Sequence, residues 1–419
     1  MSFLSEYRDA TFSMAGQKQM KLVGQWMKTS PIPFFAELRQ YSPILHTPKF
    51  ILVSRYPDVR EVLGNEKIFS VRVYADRMDP VAGPFMLARD GTIFNERDKA
   101  VMKVMLRQDD LSKVRTIVGR LTESNLDTFK DSRGIELVNA VSRRVPLQLC
   151  GDYFGFPGPD VESLMRWSKA TQMDMFRNPT QDPQIHEESV QAGREMREFL
   201  KHYIPQQRAA IAIDPSLDDI VSRLLKTQFP EVIGFDEERI LANSMGLLIG
   251  AGETTSQAVI QVLDQWFQRP EIFASATRAA RSGDDQQLGQ YVWEALRFNP
   301  ISPGIARFCE EDYTIAKGTD RETLIPKGTV VLAATQSAMF DEREVCKPDE
   351  FLIDRPSYHY LHFGYGHHLC LGYYVGLVMI PEILKRLLLR AGLCRASGSA
   401  GQIDYKGGPF PEEFWVQYS

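Results

Sequence analysis

A mainly helical fold with small β-sheets is predicted from three observations. Helix-period apolar patterns, bounded by capping residues and prolines, cover most of the chain from residue 95 onward. Strand-like runs are few and short. No internal repeat, low-complexity tract or linker divides the 419 residues, so one domain over 1–419 is expected.

In chain order, the first forty residues are short polar and apolar pieces with little periodicity. Phe50 to Ser54 reads as a β-branched strand, followed by a turn at Tyr56-Pro57-Asp58 and a helix. Residues 72–94 hold Pro80, Gly83, Pro84 and Gly91 and read as a long irregular loop. The pattern is helical from Asn95 to Phe129, broken near Asp109-Asp110, and continues through 135–150, 159–177 and 184–211, with breaks at Pro157, Pro159, Pro179 and Pro183. The longest helix is expected from Asp236, a suitable N-cap, to about Gln268, with Glu237 and Glu238 at the positive end of its dipole. Another runs from about Gln287 to Phe298. Residues 323–335 read as strand, Pro-Lys-Gly turn, strand. A last helix is expected from Leu371 to about Arg390, interrupted by Pro381, and the tail ends in a strand-like Phe414 to Tyr418.

Composition excludes several classes. Hydrophobic residues at 43% and charged residues at 25% are ordinary globular values, so disordered and fibrous readings fail. A net charge of -5 implies no general nucleic-acid-binding surface. The longest notable uncharged run, Ile240 to Gly252, has 13 residues, short of the roughly 20 a membrane-spanning helix needs. The N-terminal residues are charged throughout and lack the apolar core of a secretory signal. The five cysteines are no closer than 24 residues apart, which argues against a disulfide framework or a Cys-x-x-Cys metal site. A cytoplasmic protein without membrane attachment is expected.

The most informative segment is Phe363-Gly364-Tyr365-Gly366-His367-His368-Leu369-Cys370-Leu371-Gly372. Two glycines allow tight or left-handed turns ahead of the cysteine. A helix follows, and a sulfur at a helix N-terminus is favoured as thiolate, the metal-binding form. Such a cysteine is a nucleophile, a lone axial ligand or a buried small hydrophobe. His359, His362, His367 and His368 with Cys370 also raise zinc, although their spacing is not that of a usual zinc site.

This segment resembles the heme-binding loop of the cytochrome P450 family, whose pattern is filled here by Phe363, Gly366, His368, Cys370, Leu371 and Gly372. Three further segments carry the resemblance. Gly250-Ala251-Gly252-Glu253-Thr254-Thr255 sits mid-helix, where each glycine costs about 1 kcal/mol relative to alanine and needs a reason: a close-lying flat ligand, or helix packing. An acid followed by an alcohol offers a proton relay. Glu294 and Arg297 lie on one helix face and can pair. Arg307 follows ten residues beyond Arg297.

The resemblance covers roughly residues 40 to 392 and implies the P450 fold with heme b (iron protoporphyrin IX) as cofactor. It implies Cys370 as the iron ligand, and Phe363, Gly364, Gly366 and Gly372 as the loop that shapes its setting. It makes Gly250 and Ala251 the small-residue groove over the heme, Glu253 and Thr254 the catalytic acid–alcohol pair, and Glu294 with Arg297 a structural brace. Arg307 and His368 become propionate ligands. The family's usual His and Arg of the helix after Gly91 are replaced by Asn95 and Lys99, with Arg97 as a rival to Lys99. By position, substrate contacts fall on Phe85, Met86, Met245, Ile249, Ile301, Ile305 and Phe410. Most are apolar, which favours a hydrophobic small molecule. Arg72 and Arg77 are read as solvated loop charges.

The implied activity is a heme-thiolate monooxygenase that inserts one oxygen atom from O2 into its substrate by hydroxylation or epoxidation. No reductase-like or ferredoxin-like segment is seen in the 419 residues, so a separate ferredoxin or flavodoxin with its reductase is the expected electron donor. Two alternatives keep the heme: a peroxide-driven peroxygenase, against which Glu253-Thr254 speaks, and a non-catalytic heme-binding sensor.

Overall fold

The structure, a computed structural model, describes residues 2–10, 15–130, 132, 134–178 and 181–418. The expected break at Pro179 lies outside the described residues. The chain forms two compact units, one of Met1–Val73, Leu87–Gly91 and Pro300–Cys370, the other of Tyr74–Met86, Thr92–Asn299 and Leu371–Ser419.

The first unit is built on a five-stranded sheet in the order Ile44–His46, Ile51–Val53, Val330–Ala333, Ile305–Cys309 and Phe69–Ser70. Ile51–Val53 is buried at every position, as a central strand covered on both faces requires. The sequence reading of 323–335 as two successive strands needs a correction in pairing. Thr323–Ile325 pairs with Tyr313–Ile315 in a separate two-stranded sheet, while Val330–Ala333 runs parallel to Ile51–Val53 and antiparallel to Ile305–Cys309. The Pro-Lys-Gly turn therefore passes the chain between sheets.

The N-terminal residues, whose sequence shows little periodicity, form helices Phe3–Asp9, Ala15–Thr29 and Pro31–Tyr41. Their apolar residues face one another: Trp26 lies 5.3 Å from both Phe3 and Phe34, and Leu4, Val23 and Leu38 pack in the same cluster. Tyr56 and Pro57 start the helix Tyr56–Gly64 rather than a turn before it, because proline fits a helix's first turn, where no N–H partner is lost.

The second unit is helical apart from one three-stranded sheet of Gly134–Glu136, Trp415–Gln417 and Cys394–Arg395. The predicted loop over 72–94 contains a helix, Ala75–Ala82, that buries Met78, Val81 and Ala82 despite Pro80 within it. The breakers around it masked a short apolar face. The segment expected to be helical from 135 begins as a strand, where Ile135 pairs with Val416. The long helix Glu237–Phe267 is capped by the Asp236 carboxylate, which accepts from the Arg239 N–H at 3.1 Å. It is buried along most of its length, so its apolar, uncharged middle reflects a core helix. The last helix, Tyr373–Leu388, runs continuously with Pro381 inside it.

Candidate heme and oxygen-activation site

Four glycine, histidine and cysteine positions shape the loop in the first unit. Gly364 and Gly366 adopt φ of 78° and 73°, the left-handed region that only glycine enters cheaply. A side chain at Gly366 would also meet the Leu63 carbonyl at 2.9 Å and Gly64 at 3.0 Å. Residues Gly366–His368 form a 3-10 turn, and the loop closes where the Cys370 N–H donates to the Phe363 carbonyl at 2.9 Å. Phe363 thus holds the cysteine through its backbone. The outcome is an exposed Cys370 thiol on a tightly constrained turn.

His368 is buried against Asp90, whose Oδ1 meets its Nε2 and whose Oδ2 accepts the Val71 N–H at 2.6 Å. Sequence reasoning missed Asp90, which lies in a loop and belongs to no motif. Arg307 stands on the strand Ile305–Cys309 opposite Val331, 3% exposed, with Nη1 donating to the Ala306 carbonyl at 2.9 Å. Ile305 packs beside the loop, its Cδ1 3.6 Å from where a Gly364 side chain would begin. Ile301 is half-buried at the start of the Pro300–Cys370 segment, four residues before the strand Ile305–Cys309.

In the second unit the long helix gathers its site residues in its middle. A side chain at Gly246 would overlap the Phe85 ring, and one at Gly252 would overlap Ser168 and meet Leu147 at 2.9 Å. These two glycines serve packing. Gly250 differs: it is exposed, and nothing lies within 4 Å of the side chain it lacks. Ala251 is next to it and half-buried. The Thr254 hydroxyl donates to the Gly250 carbonyl at 2.6 Å, and Gln172 donates to the Ile249 carbonyl at 2.5 Å. Met245 and Ile249 are buried, as are Met86 and Phe410, while Phe85 is half-buried.

Glu253 is 1% exposed and sits in a bidentate ion pair with Arg143, at 2.8 Å to Nε and 3.0 Å to Nη2. Arg143 was not singled out from the sequence, being one of 49 basic residues with no motif around it. It also reaches Asn139 at 2.7 Å, Glu412 at 3.4 Å and the Pro411 carbonyl at 3.2 Å. Glu412 in turn meets the half-exposed Lys169 at 2.7 Å. Burial raises the Glu253 pKa above the usual carboxylate range, although Arg143 beside it pulls the other way.

The remaining predicted residues fall as follows. Glu294 and Arg297 are both fully buried and paired at 2.9 and 2.7 Å, a bidentate brace within one helix. Lys99 is buried, and Asn95 donates to the Met86 carbonyl at 2.8 Å. The rival Arg97 is turned toward Asp98 at 2.8 Å and the Gly234 carbonyl at 2.8 Å. Arg72 lies 3.9 Å over the Phe308 ring and pairs with Glu310, and Arg77 donates to the Asp174 carbonyl, so neither is a purely solvated charge. Gly372 caps the helix that begins at Tyr373.

These residues fit a heme held by one thiolate. Cys370 is presented outward on a loop that its glycines and its own N–H fix in place. Gly250 leaves open a position in the middle of the long helix where a flat ligand could approach. Zinc has no comparable site: among the described residues no three His, Cys, Asp or Glu side chains are grouped to hold a metal ion.

Comparison with known proteins agrees. The family model described as cytochrome P450 matches residues 40–391. The mycinamicin IV hydroxylase/epoxidase of Micromonospora griseorubida is 27% identical over 349 residues, covering 81% of each chain. The crystal structure of CalO2 superposes with a TM-score of 0.80 at 18% identity, covering 94% of this chain and 97% of that one. The Bacillus megaterium protein CYP109E1 in complex with testosterone gives 0.78 at 22% identity, covering 93% and 98%. A constrained, outward-facing cysteine, an acid–alcohol pair on a long helix and a family match across most of the sequence lead to one assignment: this chain belongs to the cytochrome P450 family and is a heme-thiolate monooxygenase.

Proposed function

We propose that Cys370 is the axial thiolate of the heme, and that Glu253 and Thr254 manage protons during oxygenation of a hydrophobic small molecule. Thiolate-ligated heme, when bound, supplies oxygen activation: one atom of O2 enters the substrate and the other leaves as water, using two electrons and two protons. This chain's residues place and protect that chemistry. The left-handed glycines shape the loop on which Cys370 is exposed. Arg307 and His368 are the cationic candidates for heme carboxylates, with Asp90 orienting the imidazole. Lys99 is the weaker third candidate.

Thr254 donates to the Gly250 carbonyl, which leaves its oxygen lone pairs available to accept a bond from a ligand beside Gly250. Glu253 holds a proton more readily than a surface carboxylate does, which suits a group that must receive and release one. The apolar Phe85, Met86, Met245, Ile249, Ile301, Ile305 and Phe410 are proposed to favour a hydrophobic substrate. The P450 reaction draws its electrons from a redox partner; we take that partner to be a ferredoxin or flavodoxin with its reductase. We also place the protein in the cytoplasm. None of its five cysteines forms a disulfide, and among the described residues no helix is long and apolar enough to cross a membrane.

The observation that carries this reading is the exposed Cys370 thiol on a loop of left-handed glycines. The purified protein is expected to show the strongly red-shifted Soret band of a thiolate-ligated ferrous carbon monoxide complex, and Cys370→Ala to lose it. Thr254→Ala is expected to keep that band but to release more of its reducing equivalents as peroxide. A Cys370→Ala protein with the band intact, or a Thr254→Ala protein that couples as well as the parent, would refute the corresponding assignment.

A further inference from the structure

Tyr365 stands between Gly364 and Gly366, both with left-handed φ. Glycine makes that turn possible and also leaves it soft, because it holds no single backbone conformation strongly. The Tyr365 side chain lies against the helix Tyr56–Gly64, within the same unit. Arg60 donates from Nη2 to the Tyr365 phenol oxygen, and its guanidinium carbon stands 4.4 Å over the Tyr365 ring and 5.6 Å over the Tyr56 ring. One helical turn on, Tyr365 Cε1 lies 3.2 Å from where a Gly64 side chain would begin. The helix is itself fixed to the unit. The Tyr56 N–H donates to Asp341 at 3.0 Å, and buried Asp58 accepts from Nε and Nη2 of Arg321, each at 2.9 Å. Glu61 accepts from the Tyr313 hydroxyl at 2.8 Å and the Ala316 N–H at 3.1 Å.

We infer that Arg60, acting through Tyr365, is a positioning residue for the Cys370 thiolate; the inference rests on the heme-thiolate reading above. The chain from Tyr365 to Cys370 has little slack. Gly366–His368 form a 3-10 turn, the Leu369 N–H donates to the Gly366 carbonyl at 3.1 Å, and the Cys370 N–H donates to the Phe363 carbonyl at 2.9 Å. A shift of the Tyr365 ring therefore carries the cysteine with it. A metal ligand tolerates displacements of only about 0.5 Å, so its supporting contacts decide how long the bond lasts. Arg60 is half-buried beside a cleft of about 400 Å³ that Pro57 and Glu344 also line. It fills no part of the core, so losing its side chain opens no buried cavity. Loop position and global stability are thereby separable at this residue.

The test uses heme-loaded protein, reduced and saturated with carbon monoxide. It follows the conversion of the thiolate band to the shorter-wavelength band that marks loss of the sulfur ligand. Arg60→Gln is expected to convert about 10-fold faster than the parent, the effect of losing one charge-assisted hydrogen bond. Tyr365→Phe, which keeps the ring without the phenol oxygen, should also convert faster. The double variant should convert only about as fast as Arg60→Gln, because both changes act through one bond. Arg60→Lys should restore part of the parent's lifetime. Arg321→Gln supplies the structural comparison, since it breaks the Asp58 pair on the same helix. It should lower the urea midpoint more than Arg60→Gln does, yet convert at about the parent rate. Conversion rates that follow the urea midpoint across the variants, additive effects in the double variant, or a parent-like rate in Arg60→Gln overturn the inference. A parent without the thiolate band overturns the heme reading and this inference together, whereas a normal band with a parent-like rate in Arg60→Gln overturns this inference alone. If Arg60→Gln does not take up heme, Tyr365→Phe decides, and a parent-like rate there overturns the inference.

Discussion

Glu253 is asked to be an acid in surroundings that oppose its charge. Its carboxylate is buried, and the compensation comes first from Arg143, through two nitrogens of a bidentate pair, with Lys169 acting at longer range. Removing one partner of a buried pair costs about 3–5 kcal/mol, because the other charge stays desolvated. Arg143→Gln should therefore destabilise the protein by about that amount at neutral pH. The pH dependence has a definite sign. The folded pKa of Glu253 lies above its ordinary value of 4.5, and loss of Arg143 raises it further. Below 4.5 the carboxyl is protonated in both folded and unfolded chains, so the cost is smallest there. The unfolded chain ionises alike in parent and variant, so the gap opens only once pH passes the parent's raised folded pKa, and it grows until the variant's still higher one is passed. Thermal melts of parent and variant across pH check this. A gap that stays constant with pH would mean that Arg143 acts through packing alone. Glu253→Gln added to Arg143→Gln should recover much of the loss.

The long helix shows why a sequence motif mixes structural and functional signals. The glycines of this helix divide between the two explanations that the sequence allows, packing and an approaching ligand. Gly246 and Gly252 accommodate Phe85 and Ser168, whereas Gly250 opens on empty space. Gly252→Ala should cost about 1–3 kcal/mol by overpacking. Gly250→Ala should stabilise the helix by up to about 1 kcal/mol while weakening ligand binding beside Thr254. Chemical denaturation of both variants, with ligand titration of the second, checks the pair; destabilisation by Gly250→Ala would place it in packing with the others. The helix itself was legible in the sequence, because Asp236, its acidic first turn and Pro270 mark both ends. The helix Ala75–Ala82 was not, since Pro80, Gly83 and Pro84 signal a loop while only tertiary burial of Met78 and Val81 sustains the turns. The pairing of Thr323–Ile325 was equally hidden. Its partner Tyr313–Ile315 is set by contacts that no local pattern records.

Across the whole molecule, the cysteine loop was readable because its chemistry is local: glycines, a basic residue and sulfur within ten positions. The supporting charges Asp90 and Arg143 were not, because each meets its partner across a sequence separation that only folding closes. The five thiols turn this contrast into a measurement. Cys150 and Cys309 are buried, and burial pushes both thiols up, away from the reactive thiolate. Cys346, Cys370 and Cys394 are exposed by the polypeptide itself. If Cys370 is the heme ligand, its sulfur is engaged in the loaded protein, and a thiol reagent should find two fast-reacting groups, Cys346 and Cys394, in the native state and five after denaturation. Cys370→Ala should again give two fast groups but four in total. Three fast groups in heme-loaded parent protein would show the Cys370 sulfur free in solution, because exposure alone, without ligation, leaves it as reactive as its two exposed counterparts.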